Sequence, residues 1–276
     1  MEEQDTPRNQ LIKKVWHTFL TTGEIIKEVD PPWYERKAFR PILKRLPSSP
    51  RCDVCYIPFS GVGGTISRMF WNVEPSKMNP HLCNNCERFA RKFNGGIELE
   101  ISMLFVDVRG SVTLAETMPL GEYRKLISRF YRAATEEFYK SYGFVEKLIG
   151  DEVAGYFVPG FAGENHAKVA IETGKRILKA LGYGNSSTPW LPAGIGINTG
   201  VAYVGSVNLE SSEAMDIAML GDSVNITARL TAQAGPGEIL ISNSSLEASG
   251  LKTDGLESRN LKLKGKSEEV LAWVMK

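Results

Sequence analysis

The sequence has almost no net charge. Its 33 Lys and Arg stand against 32 Asp and Glu, which leaves +1 at pH 7. That balance removes the electrostatic argument for nucleic acid or an anionic membrane as a partner. Long apolar runs are also lacking. Lys, Arg or Glu interrupts every candidate stretch before the ~20 residues needed to span a bilayer, so no membrane segment is expected. Internal repeats and low-complexity tracts are absent. The opening Met1-Glu2-Glu3-Gln4-Asp5 is acidic and polar, the opposite of a signal peptide. A cytoplasmic, reducing setting is therefore the expectation. Cysteine is sparse, at four residues, and in such a setting cysteines in paired spacing hold metal more readily than they form disulfides.

What is present is ordinary for a globular protein, at 42% hydrophobic and 24% charged residues, which sets global disorder aside. A chain of 276 residues suits one domain of common size with smaller additions. Three regions separate on composition. Residues 1–50 carry an amphipathic stretch from Leu11 to Leu20, read as a helix, and then a Pro- and Arg-rich tract from Pro31 to Pro50. Residues 51–95 hold all four cysteines and the Gly61-Val62-Gly63-Gly64 turn signal.

Residues 96–276 alternate strands and helices. Strands are expected at Glu98–Val108, Phe144–Ile149, Val153–Val158 and Met215–Leu220, then at Glu238–Ile241, Asn260–Leu263 and Glu269–Val274. Pro192–Val207 reads as two strands broken at Thr199-Gly200. Helices are expected at Leu120–Tyr142, Asn165–Leu181 and Asp222–Ala234. The order indicates an α+β domain with one central mixed sheet flanked by helices.

Three clusters in this region carry chemistry. Asp107 ends an apolar strand and is followed by Arg109-Gly110-Ser111, a turn whose backbone N–H groups can face a phosphate. Asp151 sits in the hairpin turn Gly150-Asp151-Glu152. If their strands pair, the two aspartates converge, and adjacent carboxylates repel unless a divalent cation lies between them. Asn225 and Arg229 are four apart, so they share one helix face near its start. There an amide and a guanidinium can hold a ribose and a developing phosphate charge. Taken singly, each is more often a cap, a turn residue or a solvent-facing pair.

Together, Phe-Val-Asp-Val-Arg-Gly-Ser, Lys-Leu-Ile-Gly-Asp-Glu and Leu-Gly-Asp-Ser-Val-Asn-Ile-Thr-Ala-Arg-Leu resemble the catalytic domain of class III adenylate and guanylate cyclases. The likeness runs from about Glu98 to Lys276. It implies that Asp107 and Asp151 bind two Mg²⁺ or Mn²⁺ ions, that Asn225 orients the ribose and that Arg229 stabilises the transition-state phosphate. Lys264 matches a late phosphate-binding lysine. Lys147 matches the base-reading lysine of adenylate cyclases, where guanylate cyclases have glutamate. Its partner position is Ala218, which has no side-chain hydrogen bond to offer. Asp216, two residues earlier, lies on the same strand face. ATP is the expected substrate, with GTP or a pyrimidine triphosphate as alternatives. A degenerate regulatory protein that binds nucleotide without turnover is a further alternative, against which stands the retention of Asp107, Asp151, Asn225 and Arg229. In this family each site forms between two domains, so one chain carrying both halves implies a homodimer.

Cys52-x-x-Cys55 and Cys83-x-x-Cys86 form two ligand pairs. Four thiolates complete a tetrahedral Zn²⁺ site, closed and hence structural, one per chain. An iron–sulfur cluster takes the same ligands. His81 stands close enough in sequence to replace one of them. Cys55-Tyr56-Ile57-Pro58-Phe59 and Trp71 read as a small hydrophobic core around this module.

Overall fold

Thr6 and Pro7 start the first helix. The Thr6 side chain accepts from the Asn9 N–H at 3.3 Å, Pro7 needs no donor at the first helical position, and Gly23 closes the helix with φ +72°. In the computed structural model, the described residues are 6–24, 26, 40–45, 50–52, 54–75, 82–184, 188–208, 215–262 and 269–276. The chain divides into two compact units, Met1–Glu98 with Tyr203–Ala218, and Leu99–Ala202 with Met219–Lys276.

The first unit holds α1 (Pro7–Thr22), α2 (Arg40–Arg45), α3 (Gly61–Trp71) and α4 (Asn84–Lys92). Val15, Trp16, Phe19 and Leu20 form the buried stripe of α1. The Trp16 indole donates to the Phe93 carbonyl at 2.7 Å, and the Phe19 and Phe89 rings lie 5.8 Å apart. Each such buried side chain contributes about 1.5–3 kcal/mol, and the hydrogen bond spares the indole N–H an unsatisfied burial.

The remaining elements follow in chain order, beginning with β1 (Gly96–Val108). Next come α5 (Ser111–Thr117), α6 (Leu120–Lys140), β2 (Phe144–Ile149), β3 (Glu152–Phe157), α7 (Pro159–Ala162) and α8 (His166–Ala180). Then follow β4 (Ala193–Asn208), β5 (Met215–Leu220), α9 (Asp222–Gln233), β6 (Ile239–Ser242), α10 (Asn243–Ser249), β7 (Glu257–Leu261) and β8 (Val270–Met275). The sheet order is β2-β3-β1-β4-β6-β8-β7, with β5 paired to β4. β4 and β6 are parallel, while β1/β3, β2/β3, β6/β8 and β7/β8 are antiparallel. This is the mixed α+β sheet expected from the sequence.

Period-two alternation divides the core between the two faces. Ile239 and Ile241 of β6 join Leu104, Phe130, Phe138, Phe157, Ile171 and Ile177 under α6 and α8. Leu240, between them, packs with Leu230 of α9, with Ala234 just past the helix end, and with Ala272 and Val274 of β8. No described helix is long and apolar enough to cross a membrane.

The expected break at Thr199-Gly200 is absent, because β4 runs unbroken from Ala193 to Asn208. Gly200 marks a close approach instead. A Cβ built there would lie 2.6 Å from the Ser223 hydroxyl of α9, and glycine inside a strand signals neighbours this near as readily as a bend. The strand expected at Asn260–Leu263 begins earlier, at Glu257, and ends at Leu261. Leu263, Lys264 and His81 lie outside the described residues.

Candidate active site and cysteine cluster

β1 pairs with β3 so that Asp107 stands opposite Glu152, and the Val108 N–H donates to the Asp151 carbonyl at 3.1 Å. Strand pairing thus sets Asp107 and Asp151 beside each other at the β2–β3 turn. Gly150 turns there with φ +60°, a left-handed value that favours glycine. Tyr131 of α6 braces this turn, its hydroxyl donating to the Gly150 carbonyl at 2.7 Å. Burial, and then the Asp151 charge, push the Tyr131 phenol up. Tyr131 carries no motif signal in the sequence. Only the packing of α6 against the hairpin brings it here.

The carboxylates strain against one another. Burial first raises Asp107 to about 6, with Arg109 opposing and the neighbouring Asp151 adding to the rise. Burial, followed by the charges of Asp107 and Asp151, raises Glu152 to about 7. Three acids crowd one corner with one guanidinium among them, Arg109, which pairs with Asp107. A divalent cation would relieve that crowding by favouring the ionised forms, so the donor set suits one.

Arg109 does not offer its amide to a ligand. Its N–H donates to the Pro192 carbonyl at 2.8 Å, and its guanidinium also reaches the Ala232 carbonyl at 3.2 Å. Gly110, with φ +72°, and Ser111, the first residue of α5, complete the turn.

Asn225 and Arg229 lie on α9, Asn225 exposed and Arg229 half-buried, while Thr227, Leu230 and Thr231 turn into the fold. Among the described residues, no hydrogen bond or ion pair joins them to Asp107 or Asp151. Lys147 lies on β2 just past a bulge, half-exposed, with its Nζ 3.9 Å from the buried Glu146 carboxylate. Glu146 in turn accepts from the Met219 N–H of β5 at 3.1 Å. Ala218 is a buried residue of β5, and Asp216 belongs to the same strand.

In the first unit Cys52, Cys55, Cys83 and Cys86 are all buried, with their sulfurs within 4.8 Å of one another. Cys55 and Cys83 sulfurs are 3.8 Å apart. A tetrahedral ion with Zn–S bonds near 2.3 Å requires sulfur–sulfur edges of about 3.8 Å. Backbone N–H groups of Cys83 and Cys86 donate to the Cys52 and Cys83 sulfurs at 3.2 and 3.4 Å. Hydrogen bonds from the other three cysteines hold Cys83 far below the usual thiol range. The same sulfurs and burial push Cys86 up, while Cys55 rises through burial first. Burial works against the charged form of these thiols, and a cation would supply the charge needed for four thiolates. The sulfurs fit a single metal ion. A multi-iron cube sets each thiolate on a different iron and spreads them wider.

A family model of the adenylate and guanylate cyclase catalytic domain matches residues 98–276. The crystal structure of the guanylyl cyclase Cya2 is similar, with a TM-score of 0.59 and 27% identity, covering 65% of this chain and 93% of that one. The adenylyl cyclase CyaB from P. aeruginosa gives a TM-score of 0.57 at 25% identity, over 66% of this chain and 96% of that one. An uncharacterized protein of Mycobacterium tuberculosis is 30% identical over 154 residues, 55% of this chain and 26% of that protein. The matched segment thus spans about a quarter of that curated relative. The family match takes in β1 through β8 of the mixed sheet and every catalytic motif read from the sequence, and the chain belongs to the adenylate and guanylate cyclase catalytic domain family.

Proposed function

We propose that the chain converts ATP into 3′,5′-cyclic AMP and pyrophosphate at sites shared between two copies of itself. The observation that carries this reading is the convergence of Asp107 and Asp151 at the β2–β3 turn, within a domain of this family. These aspartates would hold two Mg²⁺ or Mn²⁺ ions, which when bound lower the pKa of the ribose 3′-hydroxyl and offset the charge of the triphosphate. The 3′-oxygen attacks the α-phosphorus and gives up its proton, and the bond from that phosphorus to the bridging oxygen breaks to release pyrophosphate. Asn225 orients the ribose, and Arg229 stabilises the charge gathering on the α-phosphate. Gly110 and Ser111 amides face the triphosphate, with Lys264 adding a positive charge.

Lys147 donates to an acceptor on the base. Ala218 supplies no second contact, which is why GTP remains the nearest alternative. Related structures include both a guanylyl and an adenylyl cyclase. The two-chain site is supported by one chain carrying both the aspartates and the Asn225 and Arg229 positions within a single domain of this family. For the cysteine cluster we assign one structural Zn²⁺, supported by the 3.8 Å sulfur separation and four buried ligands.

The experiment is incubation of the protein with ATP, GTP, CTP or UTP and Mn²⁺, with products identified by mass spectrometry. Cyclic AMP formed fastest, and abolished by EDTA, is the expected outcome. Faster cyclic GTP would overturn the base assignment, and no cyclic nucleotide from any of the four would overturn the reading itself.

A further inference from the structure

The helix that carries Asn225 and Arg229 lies very close to β4, and the even-numbered residues of that strand form the seam. A Cβ at Gly196 would stand 2.4 Å from the Thr231 N–H nitrogen, and one at Gly200 would stand 2.6 Å from the Ser223 hydroxyl. Between these two glycines sits Asn198, 3% exposed. Its Nδ2 donates to the Ser223 carbonyl in the first turn of α9 at 3.0 Å. Its Oδ1 accepts from the Ser244 hydroxyl of α10 at 3.3 Å. Only this orientation of the amide works, because a carbonyl oxygen can meet a donor but not a second oxygen.

Ser244 is itself fixed, for its hydroxyl also reaches the Thr199 carbonyl at 2.8 Å. The network extends inward from there. Thr199 takes a hydrogen bond from Ser245 at 2.9 Å and shares one with Ser102 at 2.7 Å, and Ser102 meets His166 Nδ1 at 2.8 Å. Asn198, Thr199, Ser245, Ser102 and His166 are buried, while Ser244 lies at the exposed edge of the network. A polar chain of this length under a helix needs every member satisfied, and a satisfied network rigidifies its surroundings. Its outward end is the Ser223 carbonyl, two residues before Asn225.

We propose that Asn198 is a positioning residue for cyclisation. It clamps the first turn of α9 and so sets the direction in which Asn225 meets the ribose. The inference rests on the cyclase reading. Apolar packing alone could slide the glycine seam along the helix, whereas a hydrogen bond of fixed length selects one position. Orientation of this kind acts on the chemical step more than on ground-state binding.

The test compares Asn198→Ala, Asn198→Asp and Ser244→Ala in steady-state assays with the preferred triphosphate and Mn²⁺, alongside thermal melts. Asn198→Asp keeps size and acceptor but sets a carboxylate against the Ser223 carbonyl. Ser244→Ala removes only the brace and leaves the seam intact. Both Asn198 variants should lower kcat by about tenfold with KM changed less than about twofold, and Ser244→Ala should move kcat the same way by less. In an Asn225→Ala background, Asn198→Ala should cost less than about twofold more, because residues acting through one another are not additive. Undiminished kcat in folded variants, or losses that multiply fully with Asn225→Ala, would overturn the inference. An inactive wild type would instead overturn the cyclase reading.

Discussion

Gly196→Ala tests how tightly catalysis depends on the α9–β4 seam. The added methyl would meet the Thr231 backbone nitrogen and side-chain oxygen at 2.4 Å and the Thr227 carbonyl at 2.7 Å. Two of these three atoms are backbone, so a side-chain rotation cannot clear the space. Ordinary contact begins near 3.4 Å, and α9 must therefore move away by about 1 Å. A displacement of that size at groups that orient a reacting centre costs on the order of 10²-fold in rate. Overpacking costs about 1–3 kcal/mol, or roughly 2–4 °C in Tm per kcal/mol for a domain of this size. Activity should accordingly fall far more than stability. The assay is kcat beside a melting curve, with Gly121→Ala as control, since a methyl there meets nothing within 4 Å. A Gly196→Ala enzyme that melts a few degrees lower yet retains half its turnover would refute the argument that α9 must lie at this distance.

Other outcomes follow from the same geometry. Mixing inactive Asp107→Ala and Arg229→Ala chains should restore about a quarter of wild-type activity, because half the dimers are mixed and each has one intact site of two. No recovery despite mixed dimers seen by native mass spectrometry would mean that each site is built within one chain. Asp107 is raised from 3.8 to about 6 and Glu152 from 4.5 to about 7. Raised carboxyls stabilise the fold below their unfolded pKa and lose that contribution as pH rises through the folded one. In EDTA, Tm should fall from about pH 4 to 7, between the ordinary and the raised pKa values, and it should fall less in an Asp107→Asn, Glu152→Gln double variant. Equal slopes in the two proteins would remove these acids as the cause. Cys83→Ser should take zinc, measured by elemental analysis, from about one per chain to none and lower Tm, since a structural metal contributes folding free energy. Full zinc content in that variant would exclude Cys83 as a ligand.

The sheet and its helices were legible because their signals are local. Ile101, Met103 and Val106 mark an apolar strand, Asp222 opens a helix in the favourable dipole position, and both elements form where expected. The Thr199-Gly200 break was misread because glycine has two meanings in a strand, a bend or a near neighbour. The neighbour here, Ser223, is more than twenty residues away in sequence. Tyr131 and Asn198 were invisible for a related reason. Each acts through a backbone carbonyl, at Gly150 and Ser223 respectively, and a carbonyl leaves no mark on residue type.

The sequence by itself determined the chemistry available: two aspartates at strand ends, an amide and a guanidinium one helical turn apart, and four cysteines in two pairs. Residue identity and spacing along one element suffice for that, because periodicity fixes which side chains share a face. Tertiary structure alone decided which groups are close in space. It set Asp107 beside Asp151 through the β1–β3 register, directed the Arg109 amide to Pro192 instead of a ligand, and brought four sulfurs into one buried cluster. Contacts between distant segments depend on how whole elements pack, and no local pattern encodes that packing.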